Sequence, residues 1–204
     1  MDVVSSPGIV RASPDLDLAS RCASGDRQAQ RELFDREVDH VHATLYRILG
    51  PNRDIEDLVQ DVFIEIFRSL GSYRGEAKLS TWTGRVTAHV AYGYLSSKRP
   101  PAVWLESVPE PEAPGPTAER RAMARAAMRQ LYAMMAELEP ATRLAFTLHA
   151  LDGQPLDEVA RAMRATVVAT KSRVWRARRR MRRDPSVAAL LSGALTTSER
   201  EDER

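Results

Sequence analysis

DIEDLVQDVFIEIFRSL, residues 54–70, places Ile55, Leu58, Val59, Val62, Phe63, Ile66, Phe67 and Leu70 at three- and four-residue steps over four turns. That period predicts an amphipathic helix with one face in a core. Asp54 stands where it can cap the first turn. The other side carries Glu56, Asp57, Gln60, Asp61 and Glu65, with Ile64 among them. An acidic surface repels DNA. An apolar residue inside a charged stripe points to a protein partner, against the competing reading of a merely solvated face.

Upstream, Phe34, Val38, Val41, Leu45 and Ile48 give a long helix one apolar face, and Gly50-Pro51 ends it. Downstream, after the polar turn from Gly71 to Gly75, a third helix is expected from about Leu79 to Ser97, burying Leu79, Trp82, Val86 and Val90. The three helices make a compact module over residues 26–98, preceded by a partly disordered segment, residues 1–25. The stretch YRGEAKLSTWTGRVTAHVAYGYLSSKR, residues 73–99, interleaves aromatic and basic side chains. Bases neutralise a nucleic-acid backbone while aromatic faces stack on unpaired bases, each worth ~1–3 kcal/mol. Arg85, His89, Tyr92, Ser96 and Arg99 share one helical stripe. The competing reading makes Trp82 and Tyr94 core aromatics.

Residues 99–117, RPPAVWLESVPEPEAPGPT, hold six of the twelve prolines and no sustained periodicity, so they read as a flexible linker. A second helical module follows at 118–183. Met123, Ala127, Leu131, Met134 and Leu138 mark its first helix. Glu139-Pro140 opens another with Leu144, Leu148 and Leu151, closed by Asp152-Gly153. A short helix, Leu156 to Met163, then precedes ATVVATKSRVWRARRRMRR, residues 165–183, in a helix-turn-helix pattern. Val167, Thr170, Val174, Ala177 and Met181 are expected to face inward. Between Arg161 and Arg183 stand ten Lys or Arg and no Asp or Glu. Thr166 can cap the basic helix. Lys171, Ser172, Arg173 and Arg176 lie off its apolar stripe, where they can enter a major groove, and the distal arginines suit phosphates. A solvated basic helix or a calmodulin-like target is the competing reading. The tail, 184–204, reads equally as a short packing helix or as disorder.

Composition sets the outer limits. With 43% hydrophobic and 28% charged residues and a net charge of +2, the chain reads as soluble and globular. Neither a secretory signal nor an apolar run of ~20 residues is present, which implies a cytoplasmic address and no membrane insertion. The single cysteine, Cys22, excludes an internal disulfide. No phosphate-binding loop, nucleophile elbow or metal-ligand spacing appears, and His40, His42, His89 and His149 are not grouped as ligands. No catalytic residue, metal, cofactor or small-molecule substrate is assigned.

DIEDLVQDVFIEIFRSL, YRGEAKLSTW and ELEPATRLAFTLHALDGQPLDEVARAMRATVVATKSRVWRARRRM, in this order, resemble the extracytoplasmic-function sigma factors over roughly residues 26 to 183. The resemblance implies an all-α protein: a region 2-like bundle and a region 4-like helix-turn-helix domain. Core RNA polymerase would be bound through its beta-prime coiled coil by Glu56, Asp57, Leu58, Val59, Gln60, Asp61, Ile64 and Glu65, and through its beta flap by the second module. Tyr73, Arg74, Lys78, Ser80, Thr81, Trp82, Arg85, His89, Tyr92 and Arg99 would bind the minus-10 element. Thr166, Val168, Ala169, Lys171, Ser172, Arg173, Arg176, Arg178 and Arg179 would bind the minus-35 element.

The linker would thread near the RNA exit path, with Glu106, Glu110 and Glu112 imitating nucleic-acid charge, and an anti-sigma factor is the further expected partner. At work on promoter DNA the protein would be associated with the nucleoid. Three departures fall inside the helix-turn-helix: Arg164 where glycine is usual, Pro155 for a capping serine, and Thr170 for an apolar residue. Two other readings compete with the resemblance: a stand-alone helix-turn-helix regulator, and a degenerate relative that sequesters a partner.

Overall fold

The computed structural model describes residues 13–97 and 118–195, and all regular secondary structure among them is helical. Helix α1, Pro14–Ala23, has proline in its first turn and Asp15 and Asp17 beside it, both favourable at a helix N-terminus. Its Leu18, Ala19 and Cys22 are buried in the first core. The first module therefore begins earlier than residue 26, because this short apolar stripe needs a partner and finds one on the next helix.

Helix α2, Arg27–Leu49, is capped by Asp26, whose carboxylate accepts from the amides of Gln28 and Ala29. Helix α3 is Ile55–Ser69, and α4 is Leu79–Ser97. Leu33, Leu45, Ile48, Ile66 and Leu79 are fully enclosed among them, each worth about 1.5–3 kcal/mol relative to exposure. Two local expectations are corrected. Asp54 makes no side-chain cap: its carboxylate accepts from the Tyr94 hydroxyl at 2.7 Å. On α4 the most buried side is Thr83, Thr87, Ala88 and Ala91, leaving Trp82, Val86 and Val90 half-buried. The rotation follows from a buried polar pair, since Thr83 Oγ1 donates to the carboxylate of Glu37 on α2 at 2.8 Å.

The second module contains α5 (Ala118–Ala136), α6 (Pro140–Phe146), a π-helical turn (Thr147–Leu151), α7 (Leu156–Ala162), α8 (Val167–Met181) and α9 (Pro185–Leu195). On α5 it is Leu131, Tyr132 and Met135 that fill the core, and Met123 is 67% exposed. The tail forms a helix after Asp184, whose carboxylate accepts from the amides of Ser186 and Val187. Val187 and Leu191 of that helix join the core of α5.

The modules touch. Leu144, Leu148 and Val159 belong to the same apolar cluster as α2, α3 and α4. The Arg143 side chain on α6 is 1% exposed, and its Nε donates to the backbone carbonyl of Ile48 at 2.7 Å. Beside it Arg47 of α2 pairs with Asp152, and the rings of Tyr46 and Tyr132 meet edge to face at 6.0 Å.

Candidate polymerase and nucleic-acid interfaces

On α3 the segregation read from sequence divides further in space. Glu56, Asp57, Gln60, Asp61 and Ile64 are exposed, Ile64 to 55%, and Glu65 is half-exposed against Arg68. Leu58 and Val59 are buried at 5% and 6%. They cannot touch a partner without unpacking the module, so their part is to hold the helix. Glu56 also lies 3.5 Å from His42 of α2.

The aromatic and basic surface starts at the turn before α4. Gly75 has φ +74, a conformation that costs glycine nothing, and it follows the exposed Arg74. Tyr73 is buried at 8%: its hydroxyl donates to the Ala77 carbonyl, and its ring meets Trp82 edge-on at 5.8 Å. Tyr73 thus supports the turn and is not displayed for stacking. Lys78, His89 and Tyr92 are exposed, while Ser80, Thr81, Trp82 and Arg85 are half-exposed. Arg99 and Lys98, with the linker and its Glu106, Glu110 and Glu112, lie outside the described residues.

The start of α4 is fixed from a distant helix. Asp15 of α1 accepts from the Leu79 amide at 2.8 Å and from Arg36 at 2.7 Å. The amide bond comes first among the causes that hold this carboxyl below its ordinary 3.8.

Helices α7 and α8 form the helix-turn-helix. Arg164 has φ +50. Its amide bonds the Arg161 carbonyl, and the Ala165 amide bonds that of Ala160, a Schellman closure with arginine where glycine is preferred. Pro155 stands at the cap position of α7 without a side-chain bond, its carbonyl accepting from Val159. Thr170 is fully buried and satisfied, donating to the Thr166 carbonyl at 3.0 Å. Thr166 also caps α8 by accepting from the Ala169 amide.

Val174, Ala177 and Met181 face the core as expected, but Val167 does not, at 46% exposure in the first turn. Val168, Lys171, Ser172 and Arg176 are exposed; Ala169, Arg173 and Arg178 are half-exposed. Trp175 is a further exposed side chain of α8, outside the residues expected to meet DNA. It is 59% exposed with the Arg179 guanidinium 5.4 Å from its ring centre; an aromatic four residues after Lys171 and four before Arg179 was the available signal.

Among the described residues no group of three or more acidic, His or Cys side chains could hold a metal. No described helix is long and apolar enough to cross a membrane. His149 is a core residue, its Nδ1 2.8 Å from the Gln154 carbonyl.

A helical bundle with an acid-edged helix, followed by a basic helix-turn-helix, is the build of a sigma-70-type transcription initiation factor. Residues 33–100 match Sigma-70 region 2, and residues 128–181 match Sigma-70 region 4. The chain is 32% identical over 170 residues to the ECF RNA polymerase sigma-E factor of Escherichia coli K12, covering 79% of this chain and 88% of that one. To the sigma-E factor of Haemophilus influenzae it is 30% identical over 176 residues, covering 80% and 91%.

Among solved structures it resembles CnrH, determined in complex with the cytosolic domain of CnrY, with a TM-score of 0.56, 20% identity, and coverage of 89% of this chain and 99% of that one. The sigma factor RpoE of Bartonella quintana, determined with the anti-sigma factor NepR, gives a TM-score of 0.52, 19% identity, and coverage of 74% and 92%. The chain belongs to the ECF family of RNA polymerase sigma factors, which are non-enzymatic and direct promoter-specific transcription initiation.

Proposed function

We propose that the exposed edge of α3, namely Glu56, Asp57, Gln60, Asp61, Ile64 and Glu65, grips the beta-prime coiled coil of core polymerase. Arg74, Lys78, Ser80, Thr81, Trp82, Arg85, His89 and Tyr92 melt and read the minus-10 element. On α8, Val168, Ala169, Lys171, Ser172, Arg173 and Arg176 read the minus-35 element, while the Thr166 end of the helix, Arg178 and Arg179 hold its phosphates, and the second module also meets the beta flap.

The observation that carries the reading is the separation of charge between helices of one small chain: an acidic edge that also exposes Ile64 on α3, and a helix without acids on α8. Such complementarity steers each face to a different partner. The protein works in the cytoplasm, on the nucleoid when bound to polymerase. An anti-sigma factor that covers these faces is the expected regulator, as the complexes of CnrH and RpoE suggest. Run-off transcription with purified core polymerase, on promoters including the gene's own upstream region, tests the whole reading. Absence of core binding sinks it, and a footprint on duplex DNA without core favours a stand-alone regulator.

A further inference from the structure

Helix α4 has two sides that could face a core. Leu79, Trp82, Val86 and Val90 form an apolar stripe, yet the enclosed side is that of Thr83, Thr87, Ala88 and Ala91. At about 100° per residue, the two lie roughly a third of a turn apart around the helix. Burial of carbon is non-directional and grows with area, so by itself it favours the stripe with the larger side chains. The structure adopts the other rotation.

A polar group in the seam makes the choice. Glu37 of α2 is 2% exposed, and its Oε2 accepts from the Thr83 hydroxyl at 2.8 Å. Its Oε1 meets the Nε of Arg36 at 3.2 Å, and Nη2 of the same guanidinium donates to Asp15, which accepts from the Leu79 amide. One arginine thus joins two anchors of α4: the bond to Leu79 fixes where the helix begins, and the bond to Thr83 fixes how it is turned. Turning α4 toward its apolar stripe would withdraw the hydroxyl from Glu37 and leave a carboxylate oxygen buried without that donor, a costly state. Thr83 itself would keep an acceptor, since the Ser80 carbonyl stands 3.0 Å away in its own helix.

This rotation sets what α4 displays. Trp82 stays at the rim of the core, half-buried, with His89 and Tyr92 exposed beyond it. The alternative would draw Trp82 inward and turn Ala88 and Ala91 out.

We propose that Glu37 and Thr83 are positioning residues for promoter opening: enclosed too deeply to meet DNA themselves, they hold α4 in the rotation that presents Trp82 to the unpaired minus-10 strand. The consequence for DNA rests on the minus-10 role given to α4 above; the rotation does not.

Glu37→Met removes the carboxylate at similar length, Glu37→Gln keeps an acceptor for Thr83, and Thr83→Val removes the hydroxyl at similar size. Thermal melts should place Glu37→Met close to the wild type, because exchanging a buried charge for an apolar side chain is often neutral or stabilising. In chains carrying Trp104→Phe and Trp175→Phe, Trp82 is the only one of the three tryptophans left, and iodide quenching reports its exposure. Quenching should fall in Glu37→Met and Thr83→Val and stay near the wild type in Glu37→Gln. Holoenzymes are then titrated with the labelled non-template strand of a promoter that the wild type transcribes in run-off assays. Strand binding about tenfold weaker is expected for Glu37→Met and Thr83→Val, within the worth of one stacked base, with core binding unchanged and Glu37→Gln recovering most of the loss. If circular dichroism shows Glu37→Met unfolded, Thr83→Val decides, with Thr83→Ser as the variant that restores the bond.

Unchanged quenching in both disabling variants overturns the rotation. Lower quenching with full strand binding overturns its part in promoter opening, and so does a binding loss that only follows melting temperature, as large in Glu37→Gln as in Glu37→Met. A wild-type holoenzyme that transcribes without binding the strand counts against the minus-10 role of α4, and quenching still decides the rotation.

Discussion

The carboxylate of Asp15 accepts a hydrogen bond from the backbone amide of Leu79, 64 residues later in the chain, at 2.8 Å. A residue from the first helix thus caps the helix proposed to read the minus-10 element. Asp15→Ala is expected to cost about 1 kcal/mol, the usual worth of such a cap, read as a lower denaturation midpoint. It should also loosen the first turn of α4, visible as faster amide exchange at Leu79 and Ser80.

Stability should depend on pH through the same group. The Leu79 amide and Arg36 hold the folded carboxyl below its ordinary value. Its contribution is therefore complete above that ordinary value and is lost as pH falls through the folded one. Asp26, held down by the amides of Ala29 and Gln28, acts in the same direction. Denaturation measured from pH 6 to pH 2 should show the wild type losing more stability than Asp15→Asn; parallel curves would refute the linkage.

Residues on the two sides of α3 should separate when changed. Charge reversal at Asp57 or Asp61 is expected to weaken core polymerase binding with the melting temperature nearly unchanged, chiefly by slowing association. Leu58→Ala removes a buried side chain and should cost ~2–5 kcal/mol of stability. Binding assays paired with thermal melts distinguish the two outcomes.

Arg164→Gly should stabilise the second module. A non-glycine residue at positive φ pays ~1–2 kcal/mol, part of which glycine returns as chain entropy on folding. A rise of several tenths of a kcal/mol in denaturant unfolding is the expected result.

On α8, Arg173→Ala and Arg176→Ala are each expected to lose ~1–3 kcal/mol of minus-35 affinity with altered base preference. Trp175→Ala should weaken binding with less change in preference, because its ring supports Arg179 and its single N–H donor cannot match a base edge in the bidentate way an arginine does. Binding to a panel of single-base variants of the element checks both.

Much of the helical layout was legible because it rests on local period. Residues 54–70 bury the side that their spacing indicates, and residues 165–183 do so apart from Val167. The expected start of α4 at Leu79 also matches the structure. What spacing could not reveal was the non-local bond. Glu37, Thr83 and Arg143 are polar residues buried by partners far away in the chain, and hydrophobic periodicity counts them as surface. Leu58, Val59 and Tyr73 erred in the other direction, since a family motif marks a segment while burial is decided residue by residue.

Asp54 lost its expected role to a competitor, the Tyr94 hydroxyl, that only the packing of α4 brings near. The departures in the helix-turn-helix proved less disruptive than their residue types suggested. Thr170 pairs with its own helix, and Arg164 accepts a left-handed backbone that two flanking amide bonds enforce.

Arg143 addresses Ile48 through a main-chain oxygen, and that has a consequence for how the contact is inherited. Every residue at position 48 presents the same carbonyl, so the side chain there can drift among apolar types while the bond persists. Arg143 and position 48 need not vary together among homologues. A correlated-substitution search would pass over the seat of the second module, and only the retained arginine would mark it.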